Sequence, residues 1–203
     1  MKIGICGGIG SGKSVVSRIL RLRGEAVYDC DLEAKRIMDS SEEVLDALTD
    51  RYGEAVCPRG GPICRPELAG RIFGSDEERI WLNGLVHRLV REDVECWYVA
   101  VKADGRDRCF VESAILASSG LAAMCDEVWL VTASDDVRVA RVMQRDSLAE
   151  EAIRSRIRSQ QEEARLLESA GIPIRIIDNT GSVSLLSRIQ ELIRTRSNEI
   201  ITD

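Results

Sequence analysis

Short apolar runs rich in β-branched residues recur along the chain, and segments with helical periodicity separate them. Runs of this length predict buried strands. Their alternation with helices predicts an α/β fold with a mostly parallel sheet flanked by helices. Ligands of such sheets bind beyond the carboxyl ends of the strands. The five expected strands are Ile3–Cys6, Ala26–Tyr28, Cys109–Val111, Val128–Thr132 and Ile172–Ile177.

The longest stretch without a strand pattern lies between the second and third expected strands. Leu32–Ser40 and Glu43–Tyr52 have helical periodicity, a break rich in Gly and Pro follows, and a long helical pattern begins near Ser75. A stretch of this length is too long for a simple crossover between strands. We therefore interpret residues 32–106 as a helical insertion that binds a substrate.

A second insertion is expected after a helix at residues 135–145. Ser147-Leu148-Ala149-Glu150 fits a capping box, and one helix rich in Arg, Glu and Gln is predicted from there to about Leu167. Because this helix has few large apolar residues, we expect a weakly anchored lid over residues 141–169, with a static exposed helix as the alternative. The nucleotide-binding core then consists of residues 1–31, 107–140 and 170–203.

The composition is that of a globular chain, since 44% of the 203 residues are hydrophobic and 31% are charged. The net charge of −6 argues against a nucleic-acid binder, and no apolar run is long enough to span a bilayer. Seven cysteines without C-x-x-C spacing and a single histidine argue against a zinc site or a disulfide framework. Because no secretory signal precedes the first strand, we expect a cytoplasmic protein with reduced thiols.

The segment Gly7–Ser14, here called the phosphate loop, fits the pattern G-x-x-x-x-G-K-[ST]. Glycines let the backbone turn tightly and point successive N–H groups at a polyphosphate, and a following helix adds its positive N-terminal end. Lys13 would reach the β- and γ-phosphates, and the Ser14 hydroxyl would bind Mg²⁺. The residues expected to hold the ATP phosphates are Gly8, Gly10, Ser11, Gly12, Lys13, Ser14 and Val15.

Other motifs restrict the class of phosphate-loop protein. A switch GTPase needs Asn-Lys-x-Asp to read guanine, and the sequence has none. Asp50-Arg51-Tyr52-Gly53 matches the Asp-x-x-Gly of a second switch but lies inside a helical pattern. A motor or transporter ATPase would end a strand in Asp or Asp-Glu soon after the loop, whereas the third strand here ends at Glu112. The short chain, the loop near its N-terminus and the arginine-bearing second insertion favour a small-molecule kinase.

The chain resembles the dephospho-coenzyme A kinase family over nearly its whole length. The order and spacing of several short motifs are typical of that family. The matching residues are Gly7–Ser14, Asp29–Lys35, Arg65, Leu68, Ile72, Phe73, Trp81–Asn83, His87, Arg138, Arg141, Arg145-Asp146 and Ile177–Gly181.

Three positions depart from the family pattern. Val15 stands where Thr usually follows the loop serine, so a hydroxyl near the α-phosphate is lost while the backbone N–H is kept. Arg88 replaces a proline after the histidine. Ser118 stands where Glu is common, and we assign no catalytic carboxylate at position 118.

The resemblance implies a fold like that of nucleoside monophosphate kinases. It also implies transfer of the γ-phosphoryl group of ATP to the 3′-hydroxyl of dephospho-coenzyme A. The products would be coenzyme A and ADP, in the last step of coenzyme A synthesis, with Mg²⁺ as cofactor. ATP and dephospho-coenzyme A are the expected partners, and the protein would be a monomer or a weak homo-oligomer. The alternatives are another small-acceptor kinase, of the nucleoside monophosphate or shikimate type, and a non-catalytic nucleotide-binding regulator.

The resemblance also implies roles in phosphoryl transfer. Asp31 would orient the 3′-hydroxyl and accept its proton, with capping of the following helix as the alternative. Asp29 would support the water shell of Mg²⁺. Lys13 and Arg145 would stabilise charge on the transferring group. Further ATP contacts are expected from Arg141, whose alternative is a surface salt bridge, and from Asn179 and Gly181 beside the adenine.

The acceptor site is the least defined part of this interpretation. Arg65 would meet the acceptor phosphates. Phe73 and Trp81 would shelter its pantetheine arm, although we expect core packing to be the main role of either aromatic. His87 is either an acceptor contact or a packed helix residue.

Overall fold

The computed structural model describes residues 1–146, 148–181 and 183–199, with side chains up to residue 194. Its centre is a five-stranded sheet in the order β2-β3-β1-β4-β5. Strand β1 pairs in parallel with β3 and with β4, and β4 pairs in parallel with β5. This confirms the predicted five-stranded, mostly parallel sheet. The strands are β1 Lys2–Cys6, β2 Val27–Asp29, β3 Cys109–Glu112, β4 Glu127–Thr132 and β5 Ile174–Asp178.

Helices connect and flank these strands. The described helices are α1 Lys13–Leu22, α2 Cys30–Ser40, α3 Glu42–Tyr52, α4 Arg65–Ile72, α5 Asp76–Ala103, α6 Asp135–Asp146, α7 Glu150–Ser159, α8 Gln161–Ser169 and α9 Leu185–Glu199, with a 3₁₀ turn at Ala122–Met124. None of them is both long and apolar enough to cross a membrane.

The single helix predicted for the second insertion is two helices, α7 and α8, which meet at Gln160. Ser147 of the expected capping box lies outside the described residues. Ala149 takes the N-cap position of α7, and no side chain caps it there.

The chain divides into two compact units, one of residues 1–28 and 100–203 and the other of residues 29–99. The main core of the first unit lies on the sheet, where Phe110 and Trp129 pack edge to face with ring centroids 5.1 Å apart. In the second unit, apolar side chains of the helices are buried. These include Val44, Leu48, Leu68, Val86, Val90 and Val94. The finer division into core, insertion and lid stays a prediction.

The second insertion is better anchored than the sequence indicated. Ile153 and Ile157 of α7 are buried against Val139 and Val142 of α6. Two isoleucines one turn apart are enough to bury one face of a short helix, because residues at i and i+4 lie together. The expectation of a weakly anchored helix is therefore wrong for α7.

Candidate functional site

The phosphate loop connects β1 to α1 through a tight backbone path. Gly10 and Gly12 have φ of 75° and 98°, which residues with a side chain rarely adopt. A Cβ on Gly7 would lie 2.6 Å from the carbonyl oxygen of Val131, so this position needs glycine for space. Gly12 also begins α1, since its carbonyl accepts from the N–H groups of Val15 and Val16. The glycines of the motif are thus explained by backbone geometry.

Side chains bind the carbonyl groups of the loop from one side. The Nε of Arg138 donates to the carbonyl of Ile9 at 2.9 Å, and the Nδ2 of Asn179 donates to that of Ser11 at 2.8 Å. The Nη1 of Arg141 makes longer contacts to the carbonyls of Gly10 and Ser11, at 3.4 and 3.5 Å.

These contacts determine where the loop N–H groups point. In a trans peptide the C=O and the following N–H point in opposite directions. The N–H groups of Gly10, Ser11 and Gly12 therefore face away from the arginines and the asparagine, and that of Ser11 also donates to the carbonyl of Gly8 at 3.1 Å. Successive N–H groups on one side of a turn form an anion-binding concavity. The sequence-predicted loop is thus held in a shape that suits a polyphosphate.

Arg141 and Asn179, both predicted to bind ATP, also contact each other. The Nη2 of Arg141 donates to the carbonyl oxygen of Asn179 at 2.8 Å, and the N–H of Asn179 donates to Thr132 at the end of β4. Gly181 follows with φ of 121°. The end of β5 is therefore attached to the loop through these side chains, while the contacts of these residues with ATP stay predictions.

Lys13 forms an ion pair that the sequence analysis did not predict. Its Nζ lies 2.7 Å from Oε1 of Glu112, and the two side chains are 14% and 4% exposed. The other carboxylate oxygen of Glu112 and the hydroxyl of Ser11 are buried without a hydrogen-bond partner among the described residues. One of these oxygens lies in the loop and the other at the end of β3, and buried oxygens without a partner are unusual in folded proteins.

Arg145 lies in the last turn of α6, the helix that also carries Arg138 and Arg141. Its guanidinium makes two contacts of 2.6 Å with the carboxylate of Asp146, and the hydrogen bonds lower the pKa of that carboxyl. The Arg145 side chain is 61% exposed. An exposed pair of this kind contributes little to stability, so Arg145 can exchange its partner at low cost.

Asp29 and Asp31 have different local roles at the start of α2. The carboxylate of Asp29 accepts from the N–H of Leu32 at 3.1 Å and so caps the helix. Asp31 lies in the first turn and is exposed. Helix capping, the alternative role considered for Asp31, is therefore performed by Asp29.

The predicted acceptor residues Arg65 and Phe73 both lie at the surface. Arg65 pairs with Asp39 at 2.5 Å, and both side chains are more than half exposed. Phe73 is 92% exposed. Core packing, the role we expected for Phe73, is therefore wrong. A large apolar side chain left in water is available for contact with a ligand.

Trp81 and His87 lie on α5 and are partly buried. Trp81 packs edge to face on Tyr52, at 5.8 Å between ring centroids, and Arg51 lies 4.6 Å from its ring. Burial and the charge of Arg91 lower the pKa of His87. His87 is therefore neutral near pH 7 and can both donate and accept a hydrogen bond.

Together, the parallel sheet, the phosphate loop after β1 and the helical insertion after β2 define a P-loop kinase. A model of the dephospho-CoA kinase family matches residues 1–184. The chain belongs to this family, and it is an ATP-dependent kinase of coenzyme A biosynthesis.

Relatives and solved structures resemble this chain over nearly its whole length. The dephospho-CoA kinase of Porphyromonas gingivalis is 40% identical over 196 residues, which are 96% of this chain and 95% of that protein. A crystal structure from Thermus thermophilus is similar with a TM-score of 0.78 and 31% identity, and the match covers 97% of each chain. Dephospho-CoA kinase from Campylobacter jejuni has a TM-score of 0.70 over 98% of this chain and 99% of its own, and its 23% identity supports the fold alone.

Proposed function

We propose that the protein transfers the γ-phosphoryl group of ATP to the 3′-hydroxyl of dephospho-coenzyme A, giving coenzyme A and ADP. The observation that carries this proposal is the phosphate loop, whose carbonyls at Ile9 and Ser11 are bound on one side so that the N–H groups of Gly10 and Gly12 face the other. Phosphoryl transfer needs positioning and charge neutralisation more than covalent catalysis, and such a loop supplies both.

The loop and its neighbours would hold ATP. Lys13 would release Glu112 and contact the β- and γ-phosphates, because a polyphosphate offers it more negative charge than one carboxylate. The N–H groups would bind the phosphate oxygens, and residues after β5 would flank the adenine. The full set proposed for ATP is Gly8, Gly10, Ser11, Gly12, Lys13, Ser14, Val15, Arg141, Asn179 and Gly181.

Mg²⁺ fits the residues at the loop. Within the described residues there is no cluster of three His, Cys, Asp or Glu side chains that could hold a metal by themselves. Mg²⁺ commonly binds through one or two protein oxygens plus substrate phosphates and water, and the exposed Ser14 hydroxyl and the unsatisfied oxygen of Glu112 suit that mode. Ser14 would be the ligand, and the role of Asp29 in the water shell stays a prediction. When bound, Mg²⁺ neutralises charge on the phosphate oxygens.

The insertion would recognise the acceptor. Asp31, exposed and not engaged in the helix cap, would accept the proton of the 3′-hydroxyl. Arg65 would exchange Asp39 for an acceptor phosphate. Phe73 and Trp81 would contact the pantetheine arm, and neutral His87 would hydrogen-bond the acceptor. Residues 141–169 as a lid, a cytoplasmic location and a monomer or weak homo-oligomer also remain predictions.

Replacing Arg145 by Ala is expected to lower turnover about 100-fold, with a smaller change in ATP affinity. The reason is that its exposed guanidinium can leave Asp146 and meet charge that develops on the transferring group. Steady-state kinetics and ATP titration measure the two quantities separately. Arg165→Ala, which removes an exposed arginine paired with Glu162, is the matched control and should leave both unchanged. A loss confined to ATP affinity would make Arg145 a binding residue.

A panel of acceptors tests the function as a whole. The protein is incubated with Mg-ATP and, separately, with dephospho-coenzyme A, shikimate or nucleoside monophosphates, and ADP release is measured. We expect ADP release with dephospho-coenzyme A, and a product heavier by one phosphoryl group at the 3′ position. Turnover with another acceptor instead, or ATP binding without turnover on any acceptor, would contradict the proposal.

A further inference from the structure

Ile9, in the middle of the phosphate loop, has both backbone groups bound by distant side chains. Its N–H donates to Oε1 of Gln160 at 2.7 Å, and its carbonyl accepts from Nε of Arg138 at 2.9 Å. Its side chain packs against the buried cluster of Val139, Val142, Ile153 and Ile157. Gln160, Arg138 and this apolar contact, here called the Ile9 clamp, therefore fix one residue of the loop in three ways.

The space around Gly8 provides independent evidence for the contact of the loop with Arg138 and Gln160. A Cβ built on Gly8 would lie 2.3 Å from Nη2 of Arg138 and 2.9 Å from Oε1 of Gln160. Gly8 occupies a variable position of the motif, and its φ is not in the left-handed region. The two clamp side chains thus occupy the space that a side chain at position 8 would need, so a residue other than glycine there would displace them.

The position of Gln160 is itself well defined. It lies at the junction of α7 and α8, one turn before Glu163, whose side chain is buried. The Glu163 carboxylate accepts from the N–H groups of Ala117 and Ser118 at 2.5 and 3.2 Å. Ile157 is buried on the other side of the junction. Because buried side chains anchor the chain before and after Gln160, the position of this residue is well fixed.

We infer that Gln160 is a positioning residue that, with Arg138, presets the phosphate loop for the triphosphate. Fixing the carbonyl of Ile9 fixes the N–H of Gly10, because both belong to one planar peptide. Fixing the N–H of Ile9 removes the remaining rotation of this residue. A preset loop binds ATP without an ordering cost. This inference rests on the proposed function only for the steps after ATP binding.

Gln160→Met tests the inference, because Met has a similar length and lacks the amide acceptor. We expect ATP affinity, measured by calorimetric titration, to fall about fivefold, the effect of one neutral hydrogen bond. The KM for dephospho-coenzyme A should stay within about twofold of the wild-type value. Gln161→Met changes the next, exposed residue of α8 and should alter neither quantity.

Gly8→Ala supplies a second variant that acts on the same contact. Alone it should also weaken ATP binding, since the new methyl displaces Gln160 and Arg138. The double variant Gly8→Ala, Gln160→Met should lose no more affinity than the more affected single variant, because one contact cannot be removed twice. Unchanged ATP affinity in Gln160→Met, additive losses, or an equal loss for both substrates would overturn the inference. Absence of turnover in the wild type would refute the proposed function. The ATP titration would still test the role of Gln160, because it measures affinity and does not depend on turnover.

Discussion

Lys13→Met is expected to lower turnover at least about 10³-fold and also to destabilise the fold. Lys13 supplies the charge that would neutralise the transferring phosphoryl group, and loss of one preorganised group of this kind removes most of the rate. The same substitution leaves Glu112 buried and without the cation at 2.7 Å. A buried carboxylate that loses its partner costs about 3 kcal/mol of unfolding free energy. Turnover is measured by ADP release, and stability by denaturant unfolding.

A second substitution separates these two effects. In Lys13→Met, Glu112→Gln the buried charge is gone, so the unfolding free energy should recover most of the loss while turnover stays low. Lys35→Met, at an exposed lysine of α2, is the matched control and should be neutral in stability. Recovery of turnover in the double variant, or normal turnover in Lys13→Met, would contradict the role given to Lys13.

The sheet and the loop were predictable because their signals are local. The apolar residue types of a run such as Ile3–Cys6 are enough to predict a buried strand. The observed strand begins one residue earlier than expected, at Lys2. The phosphate loop was predictable for a stronger reason. Gly10 and Gly12 need positive φ and Gly7 needs space, so the chemistry of the loop restricts the residues that can form it.

Contacts between distant segments were not predictable in this way. The amide of Gln160 reaches a residue 151 positions earlier in the chain, and helical periodicity does not identify such partners. The same reason applies to Glu112, which the sequence marked as the end of a strand but did not pair with Lys13. The break between α7 and α8 was missed because polar residues continue the helical pattern across it.

Phe73 shows the opposite error, in which residue type was given too much weight. Aromatic side chains are usually buried, and we expected Phe73 to pack in a core. It follows the short helix α4 and remains 92% exposed. Its exposure leaves the Phe73 side chain accessible for the contact with the acceptor that we propose.

Asp31→Asn is expected to lower turnover roughly 10³-fold while ATP and dephospho-coenzyme A still bind. An amide keeps the size of the side chain and can hold the 3′-hydroxyl, but it cannot accept the proton. The fold should tolerate the change, because the N–H of Leu32 is bound by Asp29 and Asp31 is exposed. Steady-state kinetics give turnover, and calorimetric titration of each substrate gives the affinities.

Two neighbouring carboxylates, Asp29 and Glu33, provide matched controls for Asp31→Asn. Asp29→Asn keeps a side chain that caps helices as well as Asp does, so stability should change little. Glu33→Gln removes the same charge from the same first turn of α2, where Glu33 pairs with Arg36, and should leave turnover near the wild-type value. If Glu33→Gln and Asp31→Asn reduced turnover equally, the effect would come from the charge of the helix terminus. If Asp31→Asn kept its turnover, the 3′-hydroxyl would lose its proton by another route, and Asp31 would be only an orienting residue.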